Sequence, residues 1–171
     1  MNKRKTKGIA FSGLSVALII VLFFISSIFD VLDYTACAFA GLIVTFILVE
    51  FGTSLAVAVY FASSILSLLL VPSKFTILLF IFFCGWYSFV KRFIERIREP
   101  FCMVIKFAVF NVALLCVTFI TSKLLLLEVE VLWYVLVFLL ANVTFYLYDL
   151  LITRLIWIYV HKYRKKLKFL N

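Results

Sequence analysis

Six long apolar runs, separated only by short charged or Pro/Gly-containing breaks, constrain this chain more than any other feature. Inside a soluble protein each run would need cover on every side, and too little polar sequence remains to supply it. In a bilayer the runs need no cover, because lipid solvates the side chains and a helix satisfies its own backbone. The chain has 171 residues, 67% of them hydrophobic, against roughly 45–50% in soluble domains. It holds 21 Phe but only 5 Gly and 2 Pro, and it lacks the alternating polarity of membrane β-strands. The expected fold class is therefore an all-α integral membrane protein with six transmembrane helices in a single domain over residues 1–171.

The runs cover about residues 9–29, 34–49, 53–71, 75–90, 101–122 and 131–160; crossing a bilayer takes roughly 17–25 residues, so the second and fourth are short. Four of their five breaks are Asp30-Val-Leu-Asp33, Glu50-Phe-Gly52, Pro72-Ser-Lys74 and a charged segment over 91–99. That segment carries Val90, Phe93, Ile94, Ile97 and Phe101 along one helical edge. It reads equally as a short amphipathic helix on the membrane surface and as a charged extension of the flanking helices. The first run follows Lys3, Arg4, Lys5 and Lys7; at about 20 residues it exceeds the 7–15 of a signal-peptide core, so it is read as a retained span.

Charge sets the expected orientation. With the N-terminus inside, all of the 17 basic residues except Lys74 and Lys123 fall on the cytoplasmic side. The positive-inside rule then puts both termini in the cytoplasm of a bacterial-type plasma membrane. Trp86 with Tyr87 and Trp157 with Tyr159 fall at the inner ends of spans, and Trp133 with Tyr134 at an outer end, as interfacial anchors do. The net charge of +9 sits at span ends, which fits anionic headgroups and not nucleic acid.

The polar residues do not assemble an enzyme. His161 is the only histidine, and there is no metalloprotease, nucleophile-elbow or phosphate-loop pattern and no carboxylate pair inside a span. Cys37, Cys84, Cys102 and Cys116 have no metal-ligand spacing and read as small apolar residues. No catalytic residue, metal or cofactor is expected. Four residues of the last run, Asn142, Tyr146, Asp149 and Thr153, share one helical face, and with Asn111 they form an expected intramembrane polar seam. The two asparagines are suited to pairing across the bundle. At about 1.5 Å per residue Asn142 lies near mid-membrane and Asp149 near the inner surface. There Asp149 meets Lys106, Arg154 and the basic 91–98 segment, so an ion pair is expected.

Small residues line the early helices. Ala10, Gly13 and Ala17 share a face of the first run, Ala36, Ala40 and Gly41 one of the second, and Ala58 and Ala62 one of the third. Such faces let backbones approach closely, which favours packing inside the bundle over docking of a partner. The layout of six spans with a small-residue first helix resembles the substrate-binding S components of energy-coupling-factor (ECF) vitamin transporters. The run Ala10-Phe-Ser-Gly-Leu-Ser-Val-Ala17 is similar to their first helix, and 36–72 to their second and third.

The resemblance implies an S-component-like bundle whose first helix, through Ala10, Gly13 and Ala17, docks on a coupling transmembrane subunit driven by two ATPase subunits. The family's Ala-x-x-x-Ala is here Gly13-x-x-x-Ala17. A small-molecule substrate would sit at the outer face near Asp33, Tyr34, Lys74, Lys123, Trp133 and Tyr134. A second resemblance, to six-span scaffold proteins of the bacterial cell-shape machinery, implies a non-transporting interaction protein. A third reading is a channel or proton-coupled carrier using Asp149.

Overall fold

The computed structural model describes residues 3–29, 32–95, 101–125 and 131–163. Among the described residues every regular element is helical. The helices are α1 (Lys3–Ile28), α2 (Asp33–Phe51), α3 (Thr53–Leu70), α4 (Lys74–Ile94), α5 (Phe101–Leu125) and α6 (Val131–Ile158). All six contain a stretch long and apolar enough to cross a membrane. Leu14, Leu69, Val104, Phe119 and Leu139 are all more than half exposed, an outward apolar surface that suits lipid.

The helices divide into an inner pair and an outer ring. About half of the α2 and α4 spans is buried, 50% and 56%, against 28% or less for the other four. Small residues make α2 the hub. Ala36, Cys37, Ala40 and Gly41 are buried, and α2 packs against α1, α3, α4 and α6. Gly41 shows why size matters. A Cβ there would meet the Cys84 carbonyl oxygen at 2.8 Å and run into the Tyr148 hydroxyl, so only glycine lets α4 and α6 close on this turn. The expected packing role of Ala36, Ala40 and Gly41 is thus observed. On α3, by contrast, Ala58 is exposed and Ala56 takes the buried position.

The connection from α2 to α3 is a single residue. Gly52 has φ of 93°, a conformation that costs other residues energy through Cβ crowding. The chain therefore reverses there without a loop, and the expected break at Glu50-Phe-Gly52 is real.

The fourth helix departs from regularity. Its turn Phe80–Cys84 is π-helical, with the Gly85 N–H reaching back to the Phe80 carbonyl. A π-turn withholds carbonyls from the regular ladder, and side chains take them up. Tyr60 OH donates to Ile81 O at 2.9 Å and Trp86 Nε1–H to Phe82 O at 2.6 Å. The Tyr60 ring lies over Gly85. Phe83 of this turn joins Tyr87, Phe110, Phe145 and Tyr148 in an aromatic core linking α4, α5 and α6, with Phe110 and Phe145 stacked at 4.5 Å.

Of the two readings of the 91–99 segment, its described part follows the second, since Lys91–Ile94 continue α4; one anchor assignment needs correction. Lys91 and Ile94 are buried with Tyr87 and Ser88 on one face of α4, whereas Phe93 and Phe101 of the apolar edge read from the sequence are 63% and 67% exposed; residues 96–99 of that segment lie outside the described residues. Tyr87 is wholly buried and belongs to the aromatic core, so it is not an interfacial anchor, whereas Trp157 is 60% exposed.

Candidate functional site

One end of the bundle is organised by charge. Tyr87 and Lys91 on one face of α4, with Glu95 just past its end at the same spacing, meet Asp149 of α6 and Lys106 of α5. The Lys91 ammonium pairs with Asp149 Oδ1 and donates to Thr153 Oγ1 at 2.7 Å. Lys106 Nζ holds Asp149 Oδ2 at 3.0 Å, and Tyr87 OH donates to Asp149 Oδ1 at 2.7 Å. Glu95 Oε1 lies 3.3 Å from both ammonium groups. Two lysines therefore face two carboxylates, and the local charge balances. Lys91, Lys106 and Asp149 are 2%, 6% and 9% exposed, so they depend on one another for the solvation that water would give.

The expected ion pair at Asp149 exists, with its partners drawn from two other helices. Arg154 is exposed on α6. Tyr146, expected on the polar seam, is 40% exposed and lies outside it. The buried face of α6 is Phe145, Tyr148, Asp149 and Ile152. At about 100° per residue, Tyr146 turns roughly a third of a revolution away from the middle of that face. Thr153 is turned the same way, yet it stays engaged because the long Lys91 side chain reaches it.

Farther along α6, Asn142 and Asn111 of α5 form a reciprocal amide pair at 3.1 and 3.0 Å. Each amide also donates to the carbonyl four residues back, at 2.8 Å. Both amides are thus satisfied, as the pairing read from the sequence requires.

The opposite end gathers hydroxyls around Asp33. Its Oδ1 accepts from Ser26 Oγ and, at 2.6 Å, from Thr76 Oγ1, which lies 3.1 Å from Ser73 Oγ. Asp33 is 8% exposed. The other proposed ligand residues there face elsewhere. Tyr34 is exposed, edge-on to Phe75 at 5.8 Å. Lys74 Nζ donates to Leu68 O and Val71 O at 2.7 and 3.0 Å, capping the end of α3. These three share one end of the bundle and converge on no common point. The side chains of Lys123, Trp133 and Tyr134 lie outside the described residues.

On α1, Ala10, Gly13 and Ala17 are exposed, and no atom stands within 4 Å of where a Gly13 Cβ would be. The buried face of this helix is instead Gly8, Ser12, Ser15, Ile19, Phe23 and Ser26. The internal packing expected of this small-residue stripe is therefore not observed.

Two adjoining cavities of about 250 and 270 Å³ lie between α2, α4 and α6 toward the charged end, sharing Thr45, Val49, Ile152 and Ile156. Phe46, Leu155 and Ile158 line the first; Ser88, Lys91, Arg92 and Glu95 line the second. Sequence reading missed this cleft and the Ser26–Thr76 hydroxyls, since both are made by residues far apart in the chain. No protein family, curated protein or solved structure matches the chain.

Proposed function

We propose that the chain is a membrane subunit that docks a partner within the bilayer, of the ECF S-component type. On this reading it is not an enzyme and carries no cofactor. Its partners are a coupling transmembrane subunit with its ATPases and a small-molecule substrate. The observation that carries the reading is the outward face of α1, where Ala10, Gly13 and Ala17 are left without an internal partner. A face of this kind lets a second backbone approach closely and gain dispersion contacts. Lys91, Arg92, Lys106 and Arg154 gather at the end opposite Asp33, which supports a plasma-membrane orientation with both termini cytoplasmic. Substrate would then approach the Asp33 end.

The second reading is a scaffold. It is favoured by the close packing near Asp33, where Phe23, Val71, Ile77 and Phe80 are wholly or almost wholly buried. The carrier reading has less support, because Asp149 is held by two lysines in a balanced cluster.

Affinity isolation from native membranes after mild solubilisation separates these readings. The transport reading expects an ATPase, a coupling subunit and a retained small molecule by mass spectrometry. Other membrane partners without an ATPase would favour the scaffold. Recovery of the chain alone would overturn both.

A further inference from the structure

The two adjoining cavities form one cleft of mixed character. The apolar half lies between α2 and α6, and Leu155 and Ile158 on its lining are 44% and 38% exposed. It is therefore reached sideways, from the hydrocarbon of a membrane. Its one phenol, Tyr159, is turned to Glu50 at 3.0 Å. The polar half is lined by Lys91, Arg92 and Glu95, with the Thr45 and Ser88 hydroxyls bonded to one another.

The charges in the polar half are not equivalent. Lys91 is spent on Asp149 and Thr153, and Glu95 is held between Lys91 and Lys106. Arg92 is exposed and has no hydrogen-bond or ion-pair partner among the described residues. An uncompensated guanidinium thus sits beside a greasy slot, at the end of the bundle where basic residues gather. A planar guanidinium binds phosphate through two parallel hydrogen bonds. Basic pockets between membrane helices are suited to anionic headgroups.

We propose that this cleft binds one anionic membrane phospholipid, its phosphate on Arg92 and an acyl chain along Phe46, Leu155 and Ile158. A soluble anion would meet the arginine and gain nothing from the apolar half. A zwitterionic lipid would fill the slot without answering the charge. The inference stands independently of the docking role of α1.

The test uses the full chain, delipidated in detergent and titrated with phosphatidylglycerol or with phosphatidylcholine of the same acyl chains, bound lipid being counted by native mass spectrometry. One phosphatidylglycerol should be retained in preference, and inorganic phosphate should not displace it. Arg92→Gln should weaken it roughly tenfold, the scale of one charge-assisted pair. Leu155→Trp should weaken both lipids by filling the slot. Lys162→Gln is the control, since Lys162 is exposed and does not line the cleft. Arg92 is exposed, so its variant should fold, and an unchanged melting curve would verify that. Equal binding of the two lipids, displacement by phosphate alone, or equal losses in the Arg92 and Lys162 variants would overturn the proposal.

Discussion

Replacing Asp149 by Asn keeps the size of the side chain and removes the charge on which the cluster turns. The carboxylate accepts from Tyr87, Lys91 and Lys106. Without it, two ammonium groups remain in the bundle, with side chains only 2% and 8% exposed. The new amide can also turn an N–H toward them. Removing one partner of a buried ion pair costs about 3–5 kcal/mol. Glu95, 3.3 Å from both lysines, offsets part of this, but it is 42% exposed and its attraction is screened. The expected loss is therefore about 3 kcal/mol, at the lower end of that range. Glu95→Gln should cost at most about 1 kcal/mol, as for a surface pair. The assay is reversible unfolding in mixed micelles, followed by helical circular dichroism as denaturing detergent is raised. A triple variant, Lys91→Met, Lys106→Met and Asp149→Leu, should recover most of the loss, because apolar groups of similar volume need no counter-charge. A cost below about 1 kcal/mol for Asp149→Asn, or equal costs for Asp149→Asn and Glu95→Gln, would refute the reasoning.

Other positions give sharper contrasts. Gly41→Ala places a Cβ 2.8 Å from the Cys84 carbonyl oxygen and should destabilise by about 1–3 kcal/mol, whereas Gly13→Ala meets open space and should be neutral or stabilising by up to about 1 kcal/mol; thermal unfolding of the two variants compares them. A double-mutant cycle on Asn111→Ala and Asn142→Ala should yield a coupling of about 0.6–1.7 kcal/mol, the range for hydrogen bonds between membrane helices. In a chain whose native cysteines are replaced by alanine, an impermeant thiol reagent should label Lys74→Cys on intact cells and Arg154→Cys only after permeabilisation. The opposite pattern would reverse the proposed orientation.

The six spans were legible because lipid imposes one rule on every residue of a run, and length and hydropathy report it directly. The Asn111–Asn142 pair was legible for a related reason: a buried amide must find a partner, and few exist at that depth. The basic company of Asp149 followed from the same need for partners. The burial of Lys91 and Tyr87 was hidden, because a charged residue at the end of an apolar run looks alike whether its helix stops or continues. The π-turn over Phe80–Cys84 shifts which residues of α4 face inward, and composition carries no mark of it. The lateral cleft and the Asp33 hydroxyl cluster arise between helices distant in the chain, so spacing within one run could not reveal them. The small-residue stripes looked equivalent on α1 and α2, yet only that of α2 is buried. Which stripe faces inward is decided by the neighbours that pack against it.

On the proposed function, α1 offers its small-residue face to another protein. Placing a photo-cross-linking residue at position 14 or 17, on the outward face, and at position 19, on the inward face, tests it directly in native membranes. Positions 14 and 17 should each give a discrete adduct with a second membrane protein, and position 19 none. Adducts to lipid alone from both outward positions would contradict the docking role.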